Sequence, residues 1–274
     1  WNDHSDVMSC RDCGWIQIFT ENGQEVFDQH ICAFKIAEDR RVLTPTIVNL
    51  DGFTLSHVVE PIEKASQELV DRFLPPYEAL YKLHPDKPLS MGTLGMPEIY
   101  TEVKKAQDVA IRDSYPVILE VWKKWGDLTG RYYQPLETYQ MEGAKIAFLT
   151  MGSFGGVAME AVDRLREKGT PAGLLKLRLW RPFPFEEIRK ATRGLDMLVV
   201  IDRAISYGGV GGPVCSEIKA ALYPQAKRPK IVSFIAGLGG RDVPPEQFVE
   251  MVEKSLKLKG KKTVEEFYMA GLRE

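Results

Sequence analysis

With 274 residues, 44% of them hydrophobic and 27% charged, the chain is long enough to bury one large core or two ordinary ones. A formal net charge of -2 excludes the basic excess on which nucleic-acid binding rests, and no apolar run approaches the roughly 18 residues of a membrane-spanning helix. Four cysteines are too few for a disulfide scaffold, and WNDHSDV at the start has neither the basic nor the apolar region of an export signal, so the expected compartment is a reducing cytoplasm.

The chain opens on Trp1 and passes at once into a polar loop, which reads as the middle of a domain, so further residues are expected upstream. That loop, HSDVMSCRDCGW, carries a Cys-x-x-Cys, Cys10 and Cys13. A structural zinc needs four ligands, and with His4, His30, His57 and His84 available, His4, Cys10, Cys13 and His30 form a candidate set. A redox dithiol usually sits where a strand feeds a helix N-terminus, whereas this pair precedes a strand. The adopted reading is two small loop residues and no metal site.

WIQIF (15–19) reads as a short buried strand, and Gly23 to Glu38 as a helix with Val26, Phe27, His30, Ile31, Phe34 and Ile36 on its apolar side. TIVNL (46–50) is a second strand, so the unit predicts a parallel pair joined by a helical crossover. Just past it, DGFTLSH places Asp51 and His57 at a strand end, where each reads equally as a site residue or a helix cap. Residues 61–144 read as a connector: prolines and glycines as far as Pro97, then a long helix to about Leu128. Its apolar face would comprise Val103, Ala106, Ala110, Val117, Val121 and Trp125, with a kink at Pro116.

From Lys145 strands and helices alternate. Strands KIAFLTM, LLKLRLW, MLVVID and KIVSFIAG are followed by GSFGG, RPFP, SYGGVGGP and GLGGRD, and then by helices. This predicts a doubly wound, mostly parallel α/β sheet with glycine loops at the carboxyl ends of its strands. None of these loops is a strict G-x-G-x-x-G, and LLKLRLW ends without an acidic residue for a ribose, so a nicotinamide site is disfavoured. Glycines that permit tight strand-to-helix turns account for them.

Taken in order, WND-x-x-D, RD-x-GW, DGF-x-x-(S/T)H, RPFP and FIAGLGGRD resemble the alpha subunit of the 2-oxoacid:ferredoxin oxidoreductases over nearly the whole chain. The resemblance implies a thiamine-diphosphate pyrimidine-binding domain, present as its C-terminal half in residues 1–60. Residues 145–274 would then form a transketolase C-terminal-like domain. It further implies thiamine diphosphate with Mg²⁺ shared with a partner subunit, and [4Fe-4S] clusters on partner subunits, since this chain lacks the cysteines for them. Ferredoxin would accept the electrons, and coenzyme A would take the acyl group of a 2-oxoacid. The catalytic residues are expected upstream of Trp1.

On the residues that match, Arg11 and Asp12 are expected near the cofactor as a buried pair, with Asp3, His4 and Asp6 on the same loop. Many relatives carry Thr where this chain has Cys13, which denies that cysteine an inherited role. The implied reaction is oxidative decarboxylation of a small 2-oxoacid, with pyruvate ranked first and 2-ketoisovalerate last. Oxidation of oxalate without coenzyme A is the alternative. A non-catalytic scaffold that docks a cofactor-bearing partner is the rival of another class.

Overall fold

Two sheets share one piece of chain. A computed structural model describes residues 2–261 and 264–273; Trp1, the first residue of the WND motif, lies outside them. Strand β1 (Ile16–Phe19) pairs in parallel with β2 (Thr46–Asn49), from Ile16 opposite Thr46 to Phe19 opposite Asn49. Between them runs α2 (Gly23–Ala37), whose first turn is capped by the Asn22 side chain accepting from Glu25 N. Ahead of β1 lies a single-turn helix, α1 (Ser5–Ser9), that the sequence pattern did not announce.

The buried stripe of α2 is not the expected one. Glu25, Asp28, Gln29, Cys32 and Ile36 face inward, whereas His30 and Phe34 are exposed and Val26, Phe27 and Ile31 only half-buried. Partners from distant chain explain this. Arg131 Nε donates to Asp28 at 2.6 Å, and Trp122 Nε1 donates to Gln29 at 2.7 Å. Polar groups can be buried once each has its partner.

The connector contains α3 (Gln67–Phe73) and the 33-residue α4 (Pro97–Thr129). Helix α4 continues through Pro116 and buries only its second half, with Val117, Ile118, Val121, Trp122 and Trp125 against β1 and α2. Val103 and Ala106, expected on the buried face, are exposed. The apolar period runs the length of the helix, but the body it packs on does not.

The second sheet has the order β3-β5-β4-β7-β8-β9. Its strands are β3 (Leu136–Tyr139), β4 (Ile146–Thr150), β5 (Ala172–Leu177), β7 (Met197–Asp202), β8 (Lys230–Ile235) and β9 (Tyr268–Met269). All adjacent pairs are parallel except β3 with β5. Helices α5 (Phe154–Glu167) and α8 (Pro245–Lys257) cover one face through Ala158, Val162, Phe248 and Val252. Helices α6 (Phe185–Ala191) and α7 (Pro213–Leu222) cover the other through Ile188, Val214 and Ile218. Strand β4 feeds Ile146 and Phe148 to the first layer and Ala147 and Leu149 to the second, the two-residue alternation of a doubly covered strand.

Two expectations about boundaries change. This sheet begins at Leu136, nine residues ahead of Lys145, because β3 pairs along its edge. LLKLRLW is two strands rather than one. After Leu177 the chain turns at Arg178, and β6 (Leu179–Arg181) pairs antiparallel with β1 in the other sheet. The sheets are thereby joined by a continuous stretch of chain.

Candidate functional site

The carboxyl ends of strands from both sheets meet around one carboxylate. Asp51 lies two residues past β2, Ser153 three past β4, and Arg203 one past β7. Each is where a parallel sheet leaves its loops to bind or to brace. Asp51 Oδ1 lies 2.7 Å from His4 Nε2. Its Oδ2 accepts from Ser153 N at 2.8 Å, Ser153 Oγ at 2.6 Å and Arg203 Nη1 at 3.0 Å. Asp51 thus caps α5 from the opposite sheet and holds a histidine and an arginine together.

All three charged or titratable groups are inside: Asp51 is 1% exposed, His4 3% and Arg203 5%. Burial by itself would raise the Asp51 carboxyl. The His4 hydrogen bond and charge, the Arg203 charge and the Ser153 hydroxyl hold it well below the usual carboxylate range. An ionised carboxylate only accepts, so His4 Nε2 donates. Burial lowers the Arg203 guanidinium from its ordinary value, and Asp51 opposes that shift. The guanidinium also donates through Nη1 to Asn2 Oδ1 at 2.7 Å and lies 3.8 Å from the centre of the Phe154 ring.

Backbone contacts complete the clamp on the N-terminal loop. His4 N donates to Arg203 O at 2.9 Å, and Gly240 N donates to Asn2 O at 3.1 Å. The His4 ring packs edge-on against Phe19, 5.0 Å between centroids. Gly152, at φ +65°, is required beside it, because a Cβ there would come within 2.7 Å of the Asp51 carboxylate.

Of the residues expected near the site, His4 and Asp51 are brought together and the others are not. Asp3 accepts from Ser5 N at 3.1 Å and Asp6 from Val7 N at 2.7 Å, so both serve the first turn of α1 locally. The Arg11–Asp12 pair, expected to be buried, lies at the surface: 3.5 Å apart, with side chains 37% and 76% exposed. Its loop turns outward after α1, and Asp12 instead reaches Arg181 of β6 at 3.6 Å. His57 sits on an exposed turn, bonded to Ser56 Oγ at 2.8 Å and stacked on Phe53. The conceivable zinc set is dispersed as well, since His4 is held by Asp51 and His30 Nδ1 bonds Val26 O on the exposed side of α2.

Sequence reading missed Arg203 and a second buried cluster at the junction of the sheets. There Arg178 Nη1 donates to Glu137 at 2.7 Å, and its Nε to Glu25 at 3.2 Å. Lys176 Nζ lies 2.8 Å from Glu21 and 3.1 Å from Glu137. Burial raises Glu21, with Lys176 opposing. The three carboxylates lie close enough to share a metal ion, but Lys176 and Arg178 already occupy them. Lys176 and Arg178, placed where one strand run changes sheets, are the signal that sequence offered: two cations inside an otherwise apolar run need buried acids.

Another buried carboxyl, Asp202 at the end of β7, is pushed up to about 7 by burial, although Val214 N and Cys215 N donate to it.

Thiamine diphosphate needs a deep pocket and ligands for its diphosphate. The cavity at the carboxyl ends, beside Phe19, Glu21, Gly152 and Lys176, measures about 10 Å³. A groove of about 920 Å³ runs between α4 and the Arg181–Phe185 turn, but its Arg112, Arg181 and Arg189 are paired with Asp108, Glu217 and Glu186. Neither of these two combines a deep pocket with unpaired cations for the diphosphate.

The fold and its clamp define a two-sheet α/β chain in which loops of one sheet are braced on strand ends of the other. Residues 1–122 match the family model described as pyruvate flavodoxin/ferredoxin oxidoreductase, thiamine diphosphate-binding. Residues 144–248 match pyruvate:ferredoxin oxidoreductase core domain II. The chain belongs to this oxidoreductase family. It is 41% identical over 255 residues to pyruvate synthase subunit PorA of Methanothermobacter thermautotrophicus, covering 93% of this chain and 65% of that protein. It is 41% identical over 276 residues to PorA of Pyrococcus abyssi, covering 100% and 70%. Ketoisovalerate oxidoreductase subunit VorA of Pyrococcus horikoshii is 40% identical over 244 residues, covering 88% and 61%. The chain thus spans about two thirds of the length of these relatives. Among solved structures, the 2-oxoglutarate:ferredoxin oxidoreductase of Magnetococcus marinus shares the fold, with a TM-score of 0.59, 17% identity, and coverage of 93% of this chain and 45% of that one. No helix among the described residues is long and apolar enough to cross a membrane.

Proposed function

We propose that this chain is part of the alpha-type subunit of a thiamine-diphosphate-dependent 2-oxoacid:ferredoxin oxidoreductase acting on pyruvate. The observation that carries this reading is the match to PorA subunits along the whole chain, in both family regions and in order. Thiamine diphosphate, when bound with Mg²⁺ in the assembled enzyme, supplies the electron sink for decarboxylation. Iron–sulfur clusters on partner subunits carry the electrons to ferredoxin, and coenzyme A receives the acyl group.

The role of this chain's own residues is placement. Asp51 and Arg203 hold Asn2 and His4, so the N-terminal loop leaves the clamp in one fixed direction. That loop, including Asp3, Asp6, Arg11 and Asp12, is proposed to line the approach to the cofactor held with a partner. Pyruvate is favoured over 2-ketoisovalerate because the relatives matched over the full length of this chain are named for pyruvate synthase.

The test is the complete complex, assayed for ferredoxin reduction with pyruvate, 2-ketoisovalerate and oxalate, each with and without coenzyme A. Turnover of pyruvate that stops without coenzyme A is the expected result. Turnover of oxalate without coenzyme A, and none of pyruvate, overturns it.

A further inference from the structure

The Cys10–Cys13 pair has no part in the clamp, yet the fold holds it in a definite shape. Cys10 caps the C-terminus of α1, and Cys13 N donates to Cys10 O at 3.1 Å, closing a four-residue turn. Such a turn keeps its first and last Cα within about 7 Å, close to the range of 4.4–6.8 Å that a disulfide spans. Both ends are tied from outside. Gln17 Nε2 of the buried strand β1 donates to Cys10 O at 2.9 Å, and Gln107 Nε2 of α4 reaches Cys13 O at 3.4 Å. Gly14 follows at φ +80°, a left-handed conformation that favours glycine at the exit from the turn. Both cysteines are exposed, whereas Cys32 and Cys215 are buried.

We propose that Cys10 and Cys13 form a vicinal dithiol modification site that peroxide closes to an intraloop disulfide and small thiols reopen. One thiolate sulfur attacks a peroxide oxygen, breaking the O–O bond; it becomes a sulfenic acid and releases one water. The second sulfur then attacks the first, the S–S bond forms, and the hydroxyl leaves as a second water. Two thiols give two electrons and two protons, peroxide takes both, and the sum is one disulfide and two waters. The turn brings the two residues close enough along the backbone for an intraloop bond to be tested. The oxidised state would stiffen the loop that bears Arg11 and Asp12, leaving the clamp on His4 untouched.

The proposal stands on the geometry of this loop and does not depend on the substrate. The assembled complex, reduced and then desalted, is treated with a few equivalents of hydrogen peroxide, alkylated and digested with trypsin without reductant. Trypsin cuts after Arg11, so a Cys10–Cys13 bond leaves two peptides linked, and dithiothreitol separates them; the second peptide runs to Lys35 and also carries Cys32, so fragmentation of the linked pair must place the bond on Cys13. The linked pair should become the main form of these peptides, while Cys32 and Cys215 alkylate only after denaturation. Cys10→Ser and Cys13→Ser should each abolish the link, and each should take the remaining thiol on to sulfinic acid. Two peptides alkylated separately after peroxide, or oxidised singly with no link in the unmutated protein, overturn the proposal. So does oxidation of Cys32 or Cys215 at the same rate, which marks general unfolding rather than a built site.

Discussion

Replacing Asp51 by Asn isolates the charge at the centre of the clamp. The amide is nearly isosteric and can keep an oxygen toward Ser153 and Arg203. Its NH2 then faces His4, which adapts by presenting the unprotonated ring nitrogen. What cannot adapt is Arg203, 5% exposed and left without an anion. Breaking a buried pair by removing one partner costs about 3–5 kcal/mol. Asn2 Oδ1 at 2.7 Å and the Phe154 face at 3.8 Å still solvate the guanidinium, which places the cost at the lower end of that range. At roughly 2–4 °C per kcal/mol for a chain of this size, a loss of about 3 kcal/mol lowers Tm by roughly 6–12 °C. The assay is thermal unfolding of the assembled protein, followed by circular dichroism at neutral pH. Adding Arg203→Met to Asp51→Asn should recover part of the loss, because it removes the stranded charge. The acid limb gives a second check. The Asp51 carboxyl is depressed in the folded state, so its contribution is complete above the unfolded value of about 3.9 and is lost as pH falls through the lower folded value. A Tm change under about 2 °C for Asp51→Asn, or strict additivity of the two substitutions, would refute the view of Asp51 as the clamp's centre.

Further outcomes follow from the same geometry. Arg11→Ala should change stability by no more than about 1 kcal/mol in urea unfolding, since its pair with Asp12 is solvated. Gly152→Ala should destabilise by more than about 1 kcal/mol, through positive φ and contact with Asp51, and Asp51→Ala in the same chain should relieve the contact part. Asp202, raised to about 7, binds its proton more tightly when folded, so it lowers stability progressively as pH rises from about 4 to 7; Asp202→Asn should flatten that slope in pH-dependent unfolding. Purified without partners, the chain should reduce no viologen dye when supplied with pyruvate, coenzyme A, thiamine diphosphate and Mg²⁺, and activity there would contradict a site shared between subunits.

The alternating strands and helices after Lys145 were legible because apolar runs of strand length, each closed by a glycine loop, admit few other arrangements. The α2 stripe was not, since Glu25, Asp28 and Gln29 are buried only by virtue of Arg178, Arg131 and Trp122, which lie 93 to 153 residues further along the chain. Periodicity counts apolar residues and is blind to a polar residue whose partner is remote. The same blindness divided the candidate site. His4 and Asp51 could be singled out by motif and strand end, but nothing in the local sequence marked Arg203. The visible Arg11–Asp12 pair drew an expectation of burial that local sequence could not test.

A cluster of this kind also explains why the two sheets behave as one unit. Strand β5 ends in the second sheet and β6 begins in the first, so Arg178 at the corner must bury its charge wherever the sheets meet. Glu25 from α2 and Glu137 from β3 reach it from opposite sides. Asp51 performs the reciprocal act, carrying a carboxylate from the first sheet to the helix end and arginine of the second. Two buried ion clusters of opposite direction fix relative orientation more strictly than apolar contact does, because apolar surfaces slide at small cost whereas a stranded buried charge costs several kcal/mol. The N-terminal loop is anchored at one of these clusters, and its direction is therefore set by the docking of the sheets rather than by its own sequence.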